Sequence, residues 1–318
     1  MQHRALGKTG LSIAPLVFGG NVFGWTIDEK ASFDVLDAFV DHGFNAIDTA
    51  DVYSAWAPGN QGGESETIIG KWLKARPGMR DRVVIFTKVG SDLKKPGQKG
   101  LSAKWIPQAV EGSLSRLGIE TIDLYFSHWP DPETPYEETL AAYERLLKDG
   151  KIKSIGASNL DGAQLADALK AAKQDNLPAY QVLQPEYNLY DRSSFDGPRR
   201  DFALKEGLGV VTYYSLASGF LSGKYRSEAD LSQSARGGGI GKKYLNPRGF
   251  AILKALDEVA ARHSAKPAEV ALAWLVAREG VTAPIVSATK VEQVASFAKA
   301  ASLKLGAEDI AALDKASA

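Results

Sequence analysis

The chain contains 318 residues, of which 44% are hydrophobic and 24% are charged, fractions typical of a globular protein with a sizeable core. Its 38 basic and 38 acidic residues cancel, so no overall positive charge is available to hold nucleic acid or an anionic membrane surface. Cysteine is absent, which excludes disulfides, thiolate catalysis and cysteine-ligated metal sites, and four histidines are too few to favour a histidine-rich metal centre.

The hydropathy pattern bears on location and partners. No run approaches the roughly 18 apolar residues that a membrane span needs, and the start of the chain lacks the apolar stretch of a secretory signal. We therefore expect a cytoplasmic protein without a nucleic-acid or membrane partner and without a bound metal. The sequence leaves the oligomeric state open.

Apolar runs alternate with amphipathic segments along the whole chain. A β-hairpin is predicted first, with strands over 2–6 and 11–14 around a turn at 7–10. Eight further strands are predicted over 16–19, 44–48, 83–87, 122–127, 152–157, 181–184, 210–213 and 283–286. The helices are predicted over 28–42, 65–74, 104–117, 136–147, 161–173, 193–205, 247–261, 267–277 and 291–300, with Asp161 as a helix cap.

Eight strand–helix pairs favour a closed (β/α)8 TIM barrel that occupies residues 1–318 as a single domain. The additional length is assigned to the N-terminal β-hairpin and to extra helices and loops after the seventh and eighth barrel strands. A doubly wound sheet is the rival architecture. It usually carries a G-x-G-x-x-G motif after its first strand, and residues 19–24 do not match that motif.

Four polar residues stand at or just beyond the ends of predicted strands: Asp48, Tyr53, Lys88 and His128. A tyrosine with a pKa near its ordinary value of about 10 is a poor proton donor, but a nearby ammonium makes its hydroxyl a better acid. A carboxylate would hold that ammonium in place, and a histidine can orient a carbonyl oxygen. An Asp–Lys salt bridge could be purely structural. Together, however, these residue types at successive strand ends indicate an enzyme active site.

The same residues lie within motifs that resemble those of the aldo-keto reductase superfamily. The resemblance covers about residues 4–300 and is carried by the segments 4–11, 44–53, 63–66, 87–88, 156–159 and 216–225. It implies that Tyr53 is the general acid and base, that Lys88 and Asp48 tune it, and that His128 orients the substrate.

The resemblance also implies a nicotinamide cofactor bound across the barrel mouth without a Rossmann fold. Ser158, Asn159 and Gln184 would bond the carboxamide, and Tyr213 would stack on the nicotinamide ring. The pyrophosphate would lie at the loop that contains Leu216, Ser218 and Lys224. Thr289, Lys290 and Gln293 would hold the adenosine end, where a 2′-phosphate contact favours NADP(H) and leaves NAD(H) open.

Loop residues complete the predicted site. Trp25 and Trp129 are predicted to line an apolar substrate pocket, whereas Trp56 has weaker support. The glycine-rich run 236–243 is predicted to be a flexible loop over the cofactor.

These features favour an NADP(H)-dependent oxidoreductase that reversibly reduces aldehyde or ketone carbonyls to alcohols. The sequence does not specify the small-molecule carbonyl substrate. An auxiliary subunit that binds the nucleotide as a redox sensor, with little turnover, is the alternative. A metal-dependent barrel hydrolase is disfavoured because histidine is scarce and acidic ligands are not clustered.

Overall fold

The computed structural model describes residues 1–233 and 237–318. Within these residues an antiparallel hairpin, β1 (Arg4–Ala5) and β2 (Ser12–Ile13), precedes a closed barrel of eight parallel strands. Neighbouring barrel strands follow chain order, and the last strand closes against the first. The barrel strands are β3 (Val17–Gly19), β4 (Ala46–Asp48), β5 (Val84–Val89), β6 (Leu124–Ser127), β7 (Ile155–Ser158), β8 (Val182–Gln184), β9 (Gly209–Thr212) and β10 (Ala283–Val286).

Helices follow the strands and cover the outside of the barrel. In the described part of the chain they are α1 (Glu29–Asp41), α2 (Glu64–Ala75), α3 (Ile106–Leu117), α4 (Tyr136–Lys148), α5 (Gly162–Gln174), α6 (Pro198–Glu206), α7 (Gly237–Tyr244), α8 (Pro247–Arg262), α9 (Pro267–Ala277), α10 (Val291–Ser302) and α11 (Ala307–Ala316). The predicted TIM barrel with an N-terminal hairpin and extra helices after its seventh and eighth strands is confirmed.

The helix starts illustrate how local sequence produces these elements. Asp28 caps α1 by accepting a hydrogen bond of 2.8 Å from the Ala31 amide, and Asp161 caps α5 as predicted, in a reciprocal pair with Gln164. Helix α6 begins at Pro198, later than predicted. Gly197, with φ 86°, has a non-helical backbone conformation directly before this helix, and proline is favoured in a first helical turn.

The barrel interior is apolar at its base and polar at its mouth. Alternate strand residues point inward, and the inward apolar side chains pack with two hairpin residues. This cluster consists of Leu6, Ile13, Val17, Ala46, Phe86, Leu124, Phe126, Val182, Val211, Ala283 and Ile285. Residues two positions later on the same face are Asp48, Lys88, His128, Gln184 and Tyr213. The period of the strand therefore aims these polar side chains at the barrel mouth.

The prediction of a flexible loop over 236–243 is wrong for the described residues, because 237–244 form α7; Arg236 lies outside the described residues. Four glycines give this segment a low helix propensity, but tertiary packing overrides it. The Tyr244 ring stacks on Phe220 at a centroid distance of 5.1 Å, and Ile240 is buried. A Cβ at Gly237 would overlap the Leu231 carbonyl, so the close packing requires glycine there.

Membrane insertion is a separate question from the barrel architecture. Across residues 1–233 and 237–318, no helix has both the length and the apolar character that a membrane-spanning segment needs.

Candidate active site

Asp48, Tyr53 and Lys88 meet at the carboxyl end of the barrel. The Lys88 ammonium donates to Asp48 Oδ2 at 2.6 Å, to the Tyr53 hydroxyl oxygen at 2.7 Å and to the Thr49 carbonyl at 2.9 Å. These contacts use all three ammonium hydrogens. Lys88 is fully buried and Asp48 is 1% exposed, so the amine is held in one position. The structure thus brings the three predicted residues into direct contact.

The electrostatics of this cluster reflect its burial. Burial lowers the pKa of Lys88, and the adjacent Asp48 carboxylate opposes that shift. Burial also raises the pKa of Tyr53 well above its ordinary value, and the negative charge of Asp48 adds to the increase. The expectation of a phenol acidified overall by the ammonium is therefore not met in this site. Tyr53 holds its proton at neutral pH, as a proton donor must.

His128 lies beside Tyr53, with ring centroids 5.9 Å apart. Burial lowers the pKa of His128 well below its ordinary value, and the charge of Lys88 lowers it further, so the imidazole is neutral at neutral pH. Ser91 Oγ lies 3.0 Å from His128 Nδ1. When the serine donates this hydrogen bond, Nε2 carries the ring hydrogen and can donate to a carbonyl oxygen. The sequence contains no motif that singles out Ser91, so sequence reasoning missed it.

The residues predicted to bind the carboxamide are connected to the same cluster by hydrogen bonds. Gln184 Nε2 donates to Asp48 Oδ1 at 2.9 Å, and Ser158 Oγ donates to the Gln184 carbonyl at 2.9 Å. Asn159 Nδ2 donates to the His128 carbonyl at 2.9 Å, and the Tyr213 hydroxyl donates to Asn159 Oδ1 at 2.6 Å. Amide and hydroxyl groups from β7, β8 and β9 therefore form one continuous polar surface with the proton-donor cluster.

Buried polar side chains beneath this surface support it and account for the sequence motifs at 63–66 and 87–88. Ser65 Oγ donates to the Gly20 carbonyl at 2.8 Å and lies 2.7 Å from Thr49 Oγ1. The Glu66 carboxylate accepts from Thr87 Oγ1 at 2.5 Å and from Arg116 Nε at 2.7 Å. These bonds tie the start of α2 to the strands that carry the site.

The loop after β9 has an unusual backbone. Ala217, Ser218 and Gly219 have φ values of 49°, 59° and 101°, in the left-handed region that non-glycine residues adopt at a cost of about 1–3 kcal/mol each. A Cβ at Gly219 would lie 3.9 Å from Lys224 Nζ, so the exposed lysine runs along this turn. Leu216, Ser218 and Lys224 are thus close together, as a phosphate-binding loop requires.

Thr289, Lys290 and Gln293 gather at the start of α10. Gln293 Oε1 accepts from the backbone amide of Thr289 at 2.7 Å and from that of Lys290 at 3.3 Å. Gln293 therefore caps this helix, a structural role that the sequence analysis did not assign. This cluster follows β10, which pairs with β9, the strand that precedes the Leu216 loop.

Aromatic side chains border the site. Trp129 is 49% exposed and stacks on His128 at 5.8 Å, and Trp25 makes an edge contact with Trp56 at 5.6 Å. Trp56 is 51% exposed and lies 6.1 Å from the Tyr53 ring. Trp56, which had weaker support in the sequence, therefore lies beside the candidate site as well.

Comparisons with known proteins show the family of this chain. The chain matches the Aldo/keto reductase family over residues 15–318. It is 36% identical over 315 residues to the uncharacterized oxidoreductase YrpG of Bacillus subtilis, covering 97% of this chain and 93% of that protein.

Two other relatives differ from YrpG in their description or in the length of the match. A probable voltage-gated potassium channel subunit beta of Arabidopsis thaliana is 32% identical over 311 residues, which are 94% of this chain and 91% of that protein. An uncharacterized 11.2 kDa protein of Pseudescherichia vulneris is 71% identical over 94 residues, which are 30% of this chain and 91% of that protein. The family match and the extent of these identities establish that the chain is an oxidoreductase-type member of the aldo/keto reductase family.

Proposed function

We propose that this protein is an NADP(H)-dependent reductase of aldehyde or ketone carbonyls that also runs in the alcohol-oxidising direction. The observation that carries the proposal is the 2.7 Å hydrogen bond from Lys88 to a Tyr53 hydroxyl that keeps its proton. This pair is suited to deliver a proton to a carbonyl oxygen. A purely structural ion pair would have no need of a half-buried phenol beside the lysine at the barrel mouth.

Each residue of the cluster has a distinct part in this chemistry. The reduced nicotinamide, when bound, supplies the hydride. Tyr53 donates its proton to the carbonyl oxygen, and the Lys88 hydrogen bond stabilises the negative charge that develops on the phenol oxygen. Asp48 fixes the position of Lys88 by accepting its hydrogen bond at 2.6 Å. Gln184 in turn fixes Asp48 by donating to its other carboxylate oxygen at 2.9 Å. Neutral His128 orients the carbonyl through Nε2.

The donor and acceptor groups at the mouth fit a nicotinamide. A carboxamide has two N–H donors and one carbonyl acceptor, and Ser158, Asn159 and Gln184 offer the complementary groups. Tyr213 supplies an aromatic face beside them. Lys224 with the Leu216–Ser218 turn would meet the pyrophosphate, and Lys290 with Thr289 a 2′-phosphate. For these reasons we propose that NADP(H) is preferred over NAD(H).

Three tryptophans near the site, of which Trp56 and Trp129 are exposed and Trp25 is half-buried, support a substrate with an apolar part. Trp56 contacts both Trp25 and the Tyr53 ring, and Trp129 stacks on His128. Such surfaces bind apolar groups with little loss of side-chain entropy. We propose a small aldehyde or ketone whose apolar part packs on these rings.

Substitution Tyr53→Phe tests the proposal. The variant is expected to fold and to bind NADPH, but to reduce a panel of aldehydes and ketones at least about 100-fold more slowly, the usual contribution of general acid catalysis. Turnover is followed by loss of NADPH absorbance, and cofactor binding by quenching of protein fluorescence. Tyr136→Phe, in the outer helix layer, is the matched control and should keep full activity. Unchanged turnover in Tyr53→Phe would remove Tyr53 from the mechanism.

The relatives described as potassium channel subunits beta favour a second candidate function. In this alternative the protein binds the nucleotide as a redox sensor and turns over very little. The complete proton-donor cluster favours turnover. Tight NADPH binding without multiple turnovers on any carbonyl of the panel would favour the sensor.

A further inference from the structure

The side chain of Asn60 joins two loops that border the candidate active site. Its Nδ2 amide group donates to the Gly24 carbonyl at 2.8 Å, in the loop after β3. The same group donates to the Ser54 carbonyl at 3.0 Å, in the loop after β4. The two contacts use both hydrogens of the amide. Both acceptors lie in turns, so a side chain provides the connection that strand pairing provides elsewhere in the barrel.

The backbone next to the proton donor is held in a strained conformation. Ser54 directly follows Tyr53 and has φ 73°, in the left-handed region. A serine adopts this conformation at a cost in free energy, and such residues persist only where the surrounding contacts hold them. Ser54 is fully buried, and its hydroxyl donates to the Phe23 carbonyl. This hydroxyl and the Asn60 amide therefore both fasten the turn after Tyr53 to the loop after β3.

The two joined loops carry two of the tryptophans beside the candidate site. Trp25 directly follows one acceptor of the Asn60 amide, and Trp56 lies two residues after the other. The two indole rings meet edge to face, with centroids 5.6 Å apart and an interplanar angle of 89°. Trp56 also contacts the Tyr53 ring at 6.1 Å. The Asn60 amide therefore sets the spacing of the loops at the place where these rings meet.

The proton donor has a separate anchor. The Tyr53 hydroxyl is held by Lys88 at 2.7 Å, independently of Asn60. The residues proposed to hold the cofactor lie at or after β7, β8, β9 and β10, on other strands. Loss of the Asn60 amide should therefore change the position of the tryptophans without removing the proton donor or the cofactor site.

We propose that Asn60 is a positioning residue that determines specificity for carbonyl substrates with an apolar ring, an inference that rests on the proposed function. With the amide in place, Trp25 and Trp56 are held before the substrate arrives, so little affinity is lost in ordering them. Without the amide the loops can separate, and the indole rings must be ordered when the substrate binds. A substrate without an apolar ring makes less use of the tryptophans and is less affected.

The test compares benzaldehyde with propanal in the variant Asn60→Asp at saturating NADPH. Aspartate has the size of asparagine, but its carboxylate cannot donate to the two carbonyls. The KM for benzaldehyde should rise at least about fivefold and the KM for propanal by less than about twofold, because only the aromatic substrate depends on preordered rings. The kcat for both aldehydes should stay within about threefold of the wild type, since Lys88 still holds Tyr53.

Asn45→Asp is the matched control, because Asn45 also connects backbone groups of two segments. Its Nδ2 donates to the Ser12 carbonyl at 3.0 Å, and its Oδ1 accepts from the Ala14 amide at 2.9 Å. Asn45 directly precedes β4, at the opposite end of the barrel from the candidate site. This variant should lose stability but keep the wild-type KM for benzaldehyde. An equal increase of that KM in both variants would reveal a general structural effect and overturn the proposal.

A second measurement does not depend on turnover. In deuterated protein with protonated tryptophan, the nuclear Overhauser contact between the Trp25 and Trp56 rings should be present in the wild type and in Asn45→Asp. It should be weakened in Asn60→Asp, or in Asn60→Ala if the aspartate variant does not fold. The proposal is overturned if the contact is absent from the wild type or persists undiminished in the Asn60 variant, or if the KM for benzaldehyde is unchanged there.

The two measurements separate this inference from the proposed function. If the wild type reduces neither aldehyde nor any other carbonyl, the proposed function fails, and the ring contact still decides whether Asn60 positions the tryptophans. If the wild type reduces both aldehydes and the Asn60 variant has wild-type KM values, the proposed function stands and the role of Asn60 is refuted.

Discussion

At the scale of single residues, the arrangement around Lys88 constrains what the site can do. Each ammonium hydrogen has its own acceptor, so the lysine cannot rotate away from Tyr53 without losing a bond to Asp48 or Thr49. Gln184 in turn holds the second carboxylate oxygen of Asp48. The phenol oxygen is thereby fixed beside a positive charge, which is the preorganised state that proton transfer needs.

Substitution Lys88→Met should reduce turnover by about 10²–10³ while leaving NADPH affinity within a few-fold, because the lysine acts on the phenol oxygen. It also leaves Asp48 buried without its partner, and breaking a buried ion pair costs about 3–5 kcal/mol of unfolding free energy. The double variant Asp48→Asn/Lys88→Met should recover most of that stability but no activity. Denaturant unfolding and steady-state kinetics measure both effects. Full turnover in Lys88→Met would refute this role.

His128 makes a prediction about pH. Its pKa in the folded protein is depressed, chiefly by burial, so below about pH 6.5 the unfolded chain binds a proton that the folded chain does not. The contribution of His128 to the free energy of unfolding is thus fully present above that pH. It declines as the pH falls towards the pKa of His128 in the folded protein. Urea midpoints between pH 7.5 and pH 5 should fall less for His128→Gln than for the wild type. Parallel pH profiles would contradict the argument.

At the scale of elements, α7 shows how a tertiary anchor can replace helix propensity. Lys243 Nζ bonds Asp191 at 3.0 Å and Glu186 at 3.4 Å, and the Tyr190 hydroxyl donates to the Lys243 carbonyl at 3.0 Å. These partners belong to the segment after β8, next to Tyr213. The helix is therefore held to the rim of the candidate site at its C-terminal end.

Substitution Lys243→Met should loosen α7 without unfolding the barrel. Since the helix depends on a few anchors, its amides are expected to exchange with solvent about tenfold faster, whereas the barrel strands keep their protection. Hydrogen exchange with mass spectrometry on peptides covering 237–244 measures this. Lys242→Met, one residue earlier and exposed, is the control and should leave exchange unchanged. Identical exchange in both variants would show that Lys243 does not anchor the helix.

At the scale of the whole molecule, the barrel separates stability from chemistry. The hairpin residues Leu6 and Ile13 pack into the apolar base of the barrel, while the polar residues occupy the opposite end. Helices on the outside bury the remaining strand faces. The mouth can therefore carry costly buried charges, such as Lys88 and Asp48, because the apolar interior and helix layers supply the folding free energy.

Cofactor binding at the mouth should stabilise the entire barrel. A ligand at 100 times its Kd adds about 2.7 kcal/mol, so NADPH should raise Tm by several degrees. If Lys290 contacts a 2′-phosphate, NADH at equal concentration should raise Tm less than NADPH does. Lys290→Ala should then reduce the difference between the Tm increases that the two nucleotides produce. Differential scanning fluorimetry makes the comparison, with Lys304→Ala as the control. Equal shifts with both nucleotides would argue against the NADP(H) preference.

The order of strands and helices could be read from the sequence, because alternating and helical apolar periods are local properties of the chain. The motif residues Asp48, Tyr53, Lys88 and His128 could be selected for the same reason: their positions relative to strand ends are visible in sequence. Sequence reasoning also identified the fold class, since eight such units have few ways to bury their apolar faces.

Other features were decided only by the tertiary structure. The Ser91–His128 pair joins residues that are distant in sequence, and the helical state of α7 overrides local propensity. The upward pKa shift of Tyr53 depends on burial, which is a property of the packed molecule. Periodicity and motif spacing therefore determine on which strand or loop a side chain lies. Three-dimensional packing determines which residues it contacts and how deeply it is buried.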